Sequence, residues 1–88
     1  MRKIFKYILD LKTRQVIEMP SDAEILCAQM QKGDICIWAA ANPEMATQNK
    51  IIRIFGTGGE MECTSPLSYI GTVQNLGDSL IWHVFLEE

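Results

Sequence analysis

Apolar and polar residues alternate along most of the chain in short runs, and turn-forming residues interrupt them at a spacing of about ten residues. A period of two marks a strand with one face turned to a core. The first such run spans about Arg2 to Leu9, followed by a turn at Asp10-Leu11-Lys12-Thr13. A second, Arg14 to Met19, is expected to fold back on it as a hairpin and to end at Pro20, which has no N–H for a ladder. The third is about Glu24 to Gln31. Here Ser21 and Glu24 also fit the S-x-x-E capping box of a helix. Only about eight residues then remain before Lys32-Gly33-Asp34, short for a helix in a small domain, so a strand is the preferred reading. A turn at Gly33-Asp34 leads into a fourth strand, Ile35 to Ala41, in a second hairpin.

A polar stretch, Asn42 to Asn49, reads as a loop. A β-branched strand from Lys50 to Gly56 follows, then a long irregular segment from Thr57 to Pro66. Ser68 to Asn75 is the sixth strand, Leu76-Gly77-Asp78 its turn, and Ser79 to Glu87 the seventh. The expected fold is therefore all-β: about seven short antiparallel strands forming one domain over residues 1–88, a meander-like sandwich or small barrel with little or no helix. Two strands are apolar on both faces. Cys36, Trp38 and Ala40 back onto Ile35, Ile37 and Ala39; Leu80, Trp82, Val84 and Leu86 back onto Ile81, His83 and Phe85. Such a strand is expected to lie in the middle of a sheet or at a subunit contact. One thin core cannot bury both sets, so a contact between subunits, and hence a homo-oligomer, is expected.

Size and composition sharpen this reading. With 88 residues the chain is too short for a catalytic barrel or a doubly wound sheet, and at 48% hydrophobic and 22% charged it is too apolar for a disordered segment. The net charge of −3 hides an asymmetry: residues 1–14 hold five cations and one acid, residues 15–88 three cations and ten acids. A basic first strand guards a sheet edge against aggregation, whereas an acidic total argues against a nucleic-acid binder. Cys27, Cys36 and Cys63 are an odd number at spacings unlike those of zinc ligands. With Gln31 opposite Cys36, Cys27 and Cys36 would stand about four or five ladder steps apart and make poor disulfide partners. No signal peptide or membrane span is readable, so a cytoplasmic protein with reduced thiols is expected. His83, the single histidine, lies in an apolar strand and is read as packed or half-buried rather than as a metal ligand.

One loop carries candidate chemistry. Gly56-Thr57-Gly58-Gly59 follows the strand bearing Arg53. Glycines let backbone N–H groups converge on an anion, Thr57 adds a hydroxyl, and Arg53 offers a planar cationic fork, a set suited to a phosphate-containing ligand. It is neither a P-loop nor a G-x-G-x-x-G motif. The structural alternative is a glycine-rich turn with Arg53 paired to an acid such as Glu60 or Glu62. Trp38, Tyr69 and Trp82 are the aromatic candidates for stacking on a base, although a strand aromatic also serves a core. No acid–base dyad is readable and His83 leaves no spare base for a serine nucleophile, so no catalytic residues, cofactor or metal are expected.

The stretches Ile4-Phe5-Lys6-Tyr7, Val16-Ile17-Glu18-Met19-Pro20, Ala23-Glu24-Ile25-Leu26, Ile37-Trp38-Ala39, Arg53-Ile54-Phe55-Gly56-Thr57-Gly58, Tyr69-Ile70-Gly71-Thr72-Val73-Gln74 and Trp82-His83-Val84-Phe85 occur in this order. Together they resemble a small family of uncharacterised proteins common in tailed-phage and prophage genomes. Many relatives place a histidine directly after Gly-Thr-Gly; Gly59 stands there in this chain, so no role for that histidine carries over. The resemblance implies a small phage accessory protein. In that setting the expected function is anti-defence: a non-enzymatic sponge, oligomeric, that sequesters a cyclic nucleotide or cyclic ADP-ribose signal through Arg53, Gly56, Thr57, Gly58 and Gly59, with Trp38 or Tyr69 stacking the base. The alternatives are a protein-binding inhibitor of a host protein and a virion-assembly accessory.

Overall fold

The computed structural model describes residues 1–75 and 80–88. The seven strands are β1 (Lys3–Leu9), β2 (Arg14–Pro20), β3 (Glu24–Gln31), β4 (Asp34–Ala41), β5 (Thr47–Gly56), β6 (Leu67–Gln74) and β7 (Ile81–Glu87). They form a three-stranded sheet in the order β1-β4-β3 and a four-stranded sheet in the order β2-β5-β7-β6, with every pair antiparallel. The architecture is a small all-β sandwich, as the alternation predicts. The segment 24–31 is the expected strand, not a helix. The expected turn at Leu76-Gly77-Asp78 and the first residue of the expected seventh strand, Ser79, lie outside the described residues.

The core forms where the inner faces meet. Ile35, Ile37 and Ala39 of β4 are buried on one side, and Ile52, Ile54 and Val84 of β5 and β7 on the other, with Leu9, Met19 and Val73 filling the margins. β4 is central in its sheet, hydrogen-bonded to β1 along one edge and to β3 along the other, a position that suits a strand with two apolar faces.

Three local expectations are corrected. First, β1 and β2 do not form a hairpin. β1 pairs with β4, β2 pairs with β5, and residues 10–13 carry the chain from one sheet to the other. The crossing is held by Gln15, a buried polar side chain. Its amide nitrogen donates to the Asp10 carbonyl at 2.7 Å, and its amide oxygen accepts from the Asp10 N–H at 3.0 Å. One side chain thus supplies both bonds that a neighbouring strand would otherwise provide, which lets the backbone leave its sheet without orphaned groups.

Second, the β3–β4 turn is centred on Lys32 and Gly33, not Gly33 and Asp34, because Gln31 faces Asp34. Both turn residues have positive φ, 50° and 83°, the geometry that matches the twist of a two-residue hairpin. In this register, with a bulge between Ile25 and Cys27, Cys27 faces Trp38 and Cys36 faces Gln29. The two cysteines are therefore closer in register than expected, but both are free, as is Cys63. Third, Thr47–Asn49 extend β5 rather than forming a loop, because they pair with Glu18–Pro20 of β2.

Replacing Gln15 with Met keeps the length of the side chain and removes both bonds to Asp10. Leaving those backbone groups without partners should cost about 1–3 kcal/mol in urea unfolding. Val16→Ala, on the exposed face of the same strand, should cost no more than about 0.5 kcal/mol. Equal losses for the two variants would show that the amide clamp contributes nothing.

Candidate functional site

Within β5, Ile52 and Ile54 point into the core, so Arg53 and Phe55 face outward. The Arg53 guanidinium is nonetheless enclosed. Its Nε donates to the Thr13 carbonyl at 3.0 Å, one terminal nitrogen donates to Glu87 Oε1 at 3.0 Å, and the other donates to the Glu62 carbonyl at 2.9 Å. The group also lies 5.4 Å from the centre of the Phe55 ring. The carboxylate partner is Glu87 of β7, not Glu60 or Glu62; Glu62 contributes only its backbone. The fork expected to meet a phosphate thus braces three separate segments: the 10–13 crossing, the 57–66 segment and the last strand. Beside it, Glu62, Cys63, Thr64 and Ser65 help to line an open hollow of about 470 Å³.

Glu87 is held below its ordinary carboxylate value of 4.5. The largest cause is a hydrogen bond from the Cys63 thiol, 3.3 Å away, followed by the bond to Arg53 and the charges of Arg53 and Arg14, while burial opposes them. Arg14 sits directly across from Arg53 in the β2–β5 pairing, so the carboxylate also relieves a like-charge contact.

The glycine loop is largely committed to its own turn. The Thr57 N–H donates to the Ile81 carbonyl at 3.3 Å and the Gly59 N–H to the Gly56 carbonyl at 3.0 Å. Two amides of the expected anion nest are therefore occupied. Gly56 answers a steric demand: a Cβ there would lie 3.2 Å from the Trp82 ring. Gly58 takes the positive φ, 84°, that turns the chain.

The polar groups that do face outward form a row. The Tyr69 hydroxyl is 2.6 Å from Thr72 Oγ1, Thr72 Oγ1 is 3.1 Å from His83 Nδ1, and His83 Nε2 is 2.7 Å from Thr57 Oγ1. Antiparallel pairing builds it: Thr72 of β6 stands directly opposite His83 of β7, and Thr57 follows the end of β5. In a neutral imidazole one nitrogen donates and the other accepts, and a threonine hydroxyl serves either role. Phe85 continues the face beside the row, its ring centre 5.6 Å from Tyr69 and 5.9 Å from Phe55, both edge-on. Of the expected site residues, Thr57 and Tyr69 meet in this row. His83, read from the sequence as half-buried packing, is half-buried and joins them. Strand alternation placed His83 beside Phe85, but only the pairing with β6 puts Thr72 next to it.

Trp38 lies elsewhere. It alternates with the buried Ile37 and stands between Lys6 and Cys27, on the outer face of the three-stranded sheet and so on the opposite side of the sandwich from Tyr69. Around it, Ile4, Ile8 and Leu26 are 65%, 58% and 47% exposed. Among the described residues, no group of three or more His, Cys, Asp or Glu side chains could hold a metal ion, and no helix is long and apolar enough to cross a membrane.

A carboxylate with a lowered folded value stabilises fully above the unfolded value of 4.5 and loses that contribution as pH falls through the folded value. The stability difference between the wild type and Glu87→Gln should therefore be constant near neutrality and shrink once the pH drops below 4.5. Urea titrations at a series of pH values measure it. A difference independent of pH would mean that the ionised carboxylate is not what holds the brace.

No curated protein and no solved structure matches this chain. One family model does, along residues 1–88. The chain belongs to DUF7352, a family described as a domain of unknown function.

Proposed function

We propose that this chain is a non-enzymatic accessory protein of tailed phages or prophages. As a homo-oligomer in the host cytoplasm, it binds a nucleotide-derived signal of the cyclic nucleotide or cyclic ADP-ribose type and withholds it from host defence. The observation that carries this reading is the row Tyr69, Thr72, His83 and Thr57, four side chains with adaptable hydrogen bonds on one outward face beside an aromatic cluster. With the Arg53 guanidinium and two loop amides already bonded, the reading rests on this row rather than on a phosphate cradle.

Binding without turnover is the chemistry that suits it. Thr57 and His83 are spaced like a nucleophile and its base, but the other ring nitrogen of His83 meets the neutral Thr72 hydroxyl. Among the described residues, the group bonded to that nitrogen is a hydroxyl and not the carboxylate that stabilises an imidazolium in a Ser-His-Asp triad. Self-association is supported by the exposed Ile4, Ile8 and Leu26 on the face of Trp38, where Lys6 interrupts the apolar surface. The same surface favours a second reading, an inhibitor that docks this face on a host protein.

Native mass spectrometry of the protein from infected cells, followed by calorimetry with cyclic dinucleotides and cyclic ADP-ribose isomers, separates the two. Sequestration predicts an oligomer carrying a small molecule that is recovered unchanged, and heat with at least one signal. No retained ligand and no heat would overturn it. A co-purifying host protein whose capture is lost in Ile8→Glu would establish the docking reading instead.

A further inference from the structure

An exposed tyrosine ordinarily loses conformational entropy when a ligand immobilises it. Tyr69 is 63% exposed yet already fixed at two points. Its hydroxyl is bonded to Thr72 at 2.6 Å, and its ring sits against Phe85 at 64°. Phe85 in turn leans on Phe55, which is covered although it lies on the same outer face, so a chain of rings braces the exposed one. Such a ring is a pre-organised stacking surface. The hydroxyl and imidazole row beside it runs from β6 across β7 to the end of β5. That is two strand spacings of about 4.8 Å, or ~10 Å in all.

The charge on this face narrows the ligand. The row offers the remaining lone pairs of its hydroxyl oxygens, while both ring nitrogens of His83 are already bonded to Thr72 and Thr57 and hold those hydroxyls in place. Of the cations on this sheet, Arg53 is closed by Glu87, and Arg14 stands on β2 opposite Arg53 and not beside the row. The amides of Thr57 and Gly59 are bonded within the fold. An anion gains little here, whereas a flat ring with hydroxyls along its edge gains both stacking and hydrogen bonds.

The geometry points to a platform for a neutral, flat-faced ring bearing hydroxyls, the chemistry shared by a nucleoside and a pyranose sugar, stacked on Tyr69 with its hydroxyls along those of Thr72 and Thr57, which His83 holds in place. This inference rests on the binding reading above and deepens it: the platform reads the nucleoside part of a nucleotide signal, not its phosphates.

Titrating the ¹⁵N-labelled chain into the millimolar range with adenosine, cellobiose, AMP, a cyclic dinucleotide and inorganic phosphate tests it by amide shifts. The expected result is that adenosine or cellobiose shifts the amides of Tyr69, Thr72, His83 and Thr57, the responding compound naming the source. Inorganic phosphate should leave them unmoved, and the 5′-phosphate of AMP should change affinity by less than about threefold if adenosine is the responder. Tyr69→Ala should weaken binding about tenfold, the scale of one lost stacking partner. Thr72→Val, which keeps the ring, should weaken it less.

If the cyclic dinucleotide binds but neither neutral ring does, the platform is overturned and sequestration stands. If a neutral ring binds at these amides and no cyclic signal does, the platform stands and sequestration is overturned. If nothing binds, both fall. Unchanged affinity in a folded Tyr69→Ala variant also overturns the platform.

Discussion

The bond set of one side chain, Arg53, ties together the parts of this sandwich that the strand ladders leave loose. Ladders hold β2 to β5 and β5 to β7, but not the crossing at residues 10–13 or the segment from Thr57 to Pro66. Arg53 reaches the first through the Thr13 carbonyl, the second through the Glu62 carbonyl and the last strand through Glu87. Arginine suits the position because its planar fork offers several donors in fixed directions, which a lysine cannot match. With 11% and 13% of their side chains exposed, Arg53 and Glu87 are shielded from the screening that weakens surface pairs.

That brace divides the molecule into a supporting side and a presenting one. The charge most suited to an anion is consumed in holding the fold, and two amides of the glycine loop are bonded, that of Thr57 to Ile81 and that of Gly59 to Gly56. Beside the brace, the outer face of the four-stranded sheet presents a row of hydroxyls with an imidazole among them, backed by aromatic rings. The opposite face, on the three-stranded sheet, exposes Ile4, Ile8 and Leu26 near Trp38, with Lys6 among them. The two faces differ in chemistry and lie on opposite sides of a molecule only 16 Å in its shortest dimension. A partner or second copy on one face therefore leaves the other free.

The individual strands were readable because each is a local pattern. β3 came out with the expected limits, and β4's two apolar faces announced its central place. Errors arose where a local signal admitted more than one partner. A short polar turn after β1 suits a hairpin, yet Gln15 satisfies the backbone at Asp10 and releases β2 to the other sheet. Positive φ at Lys32 moved a turn by one residue, and with it the register of both cysteines. Arg53 and the glycine loop carried the composition of a phosphate site, but composition does not say which donors folding has already used.

Alternation, turn residues and length fixed an all-β chain of seven strands with more apolar surface than a thin core can hide, because periodicity and volume are properties of the chain itself. The pairing of β1 with β4, the capture of Arg53 by Glu87 and the meeting of Tyr69, Thr72, His83 and Thr57 join residues far apart in sequence. A hydrogen bond depends on distance and direction in space, and only the packing of one sheet on the other sets those. The surplus of apolar strands thus became a particular exposed face around Trp38, and the suspected loop became a scaffold for the row beside it.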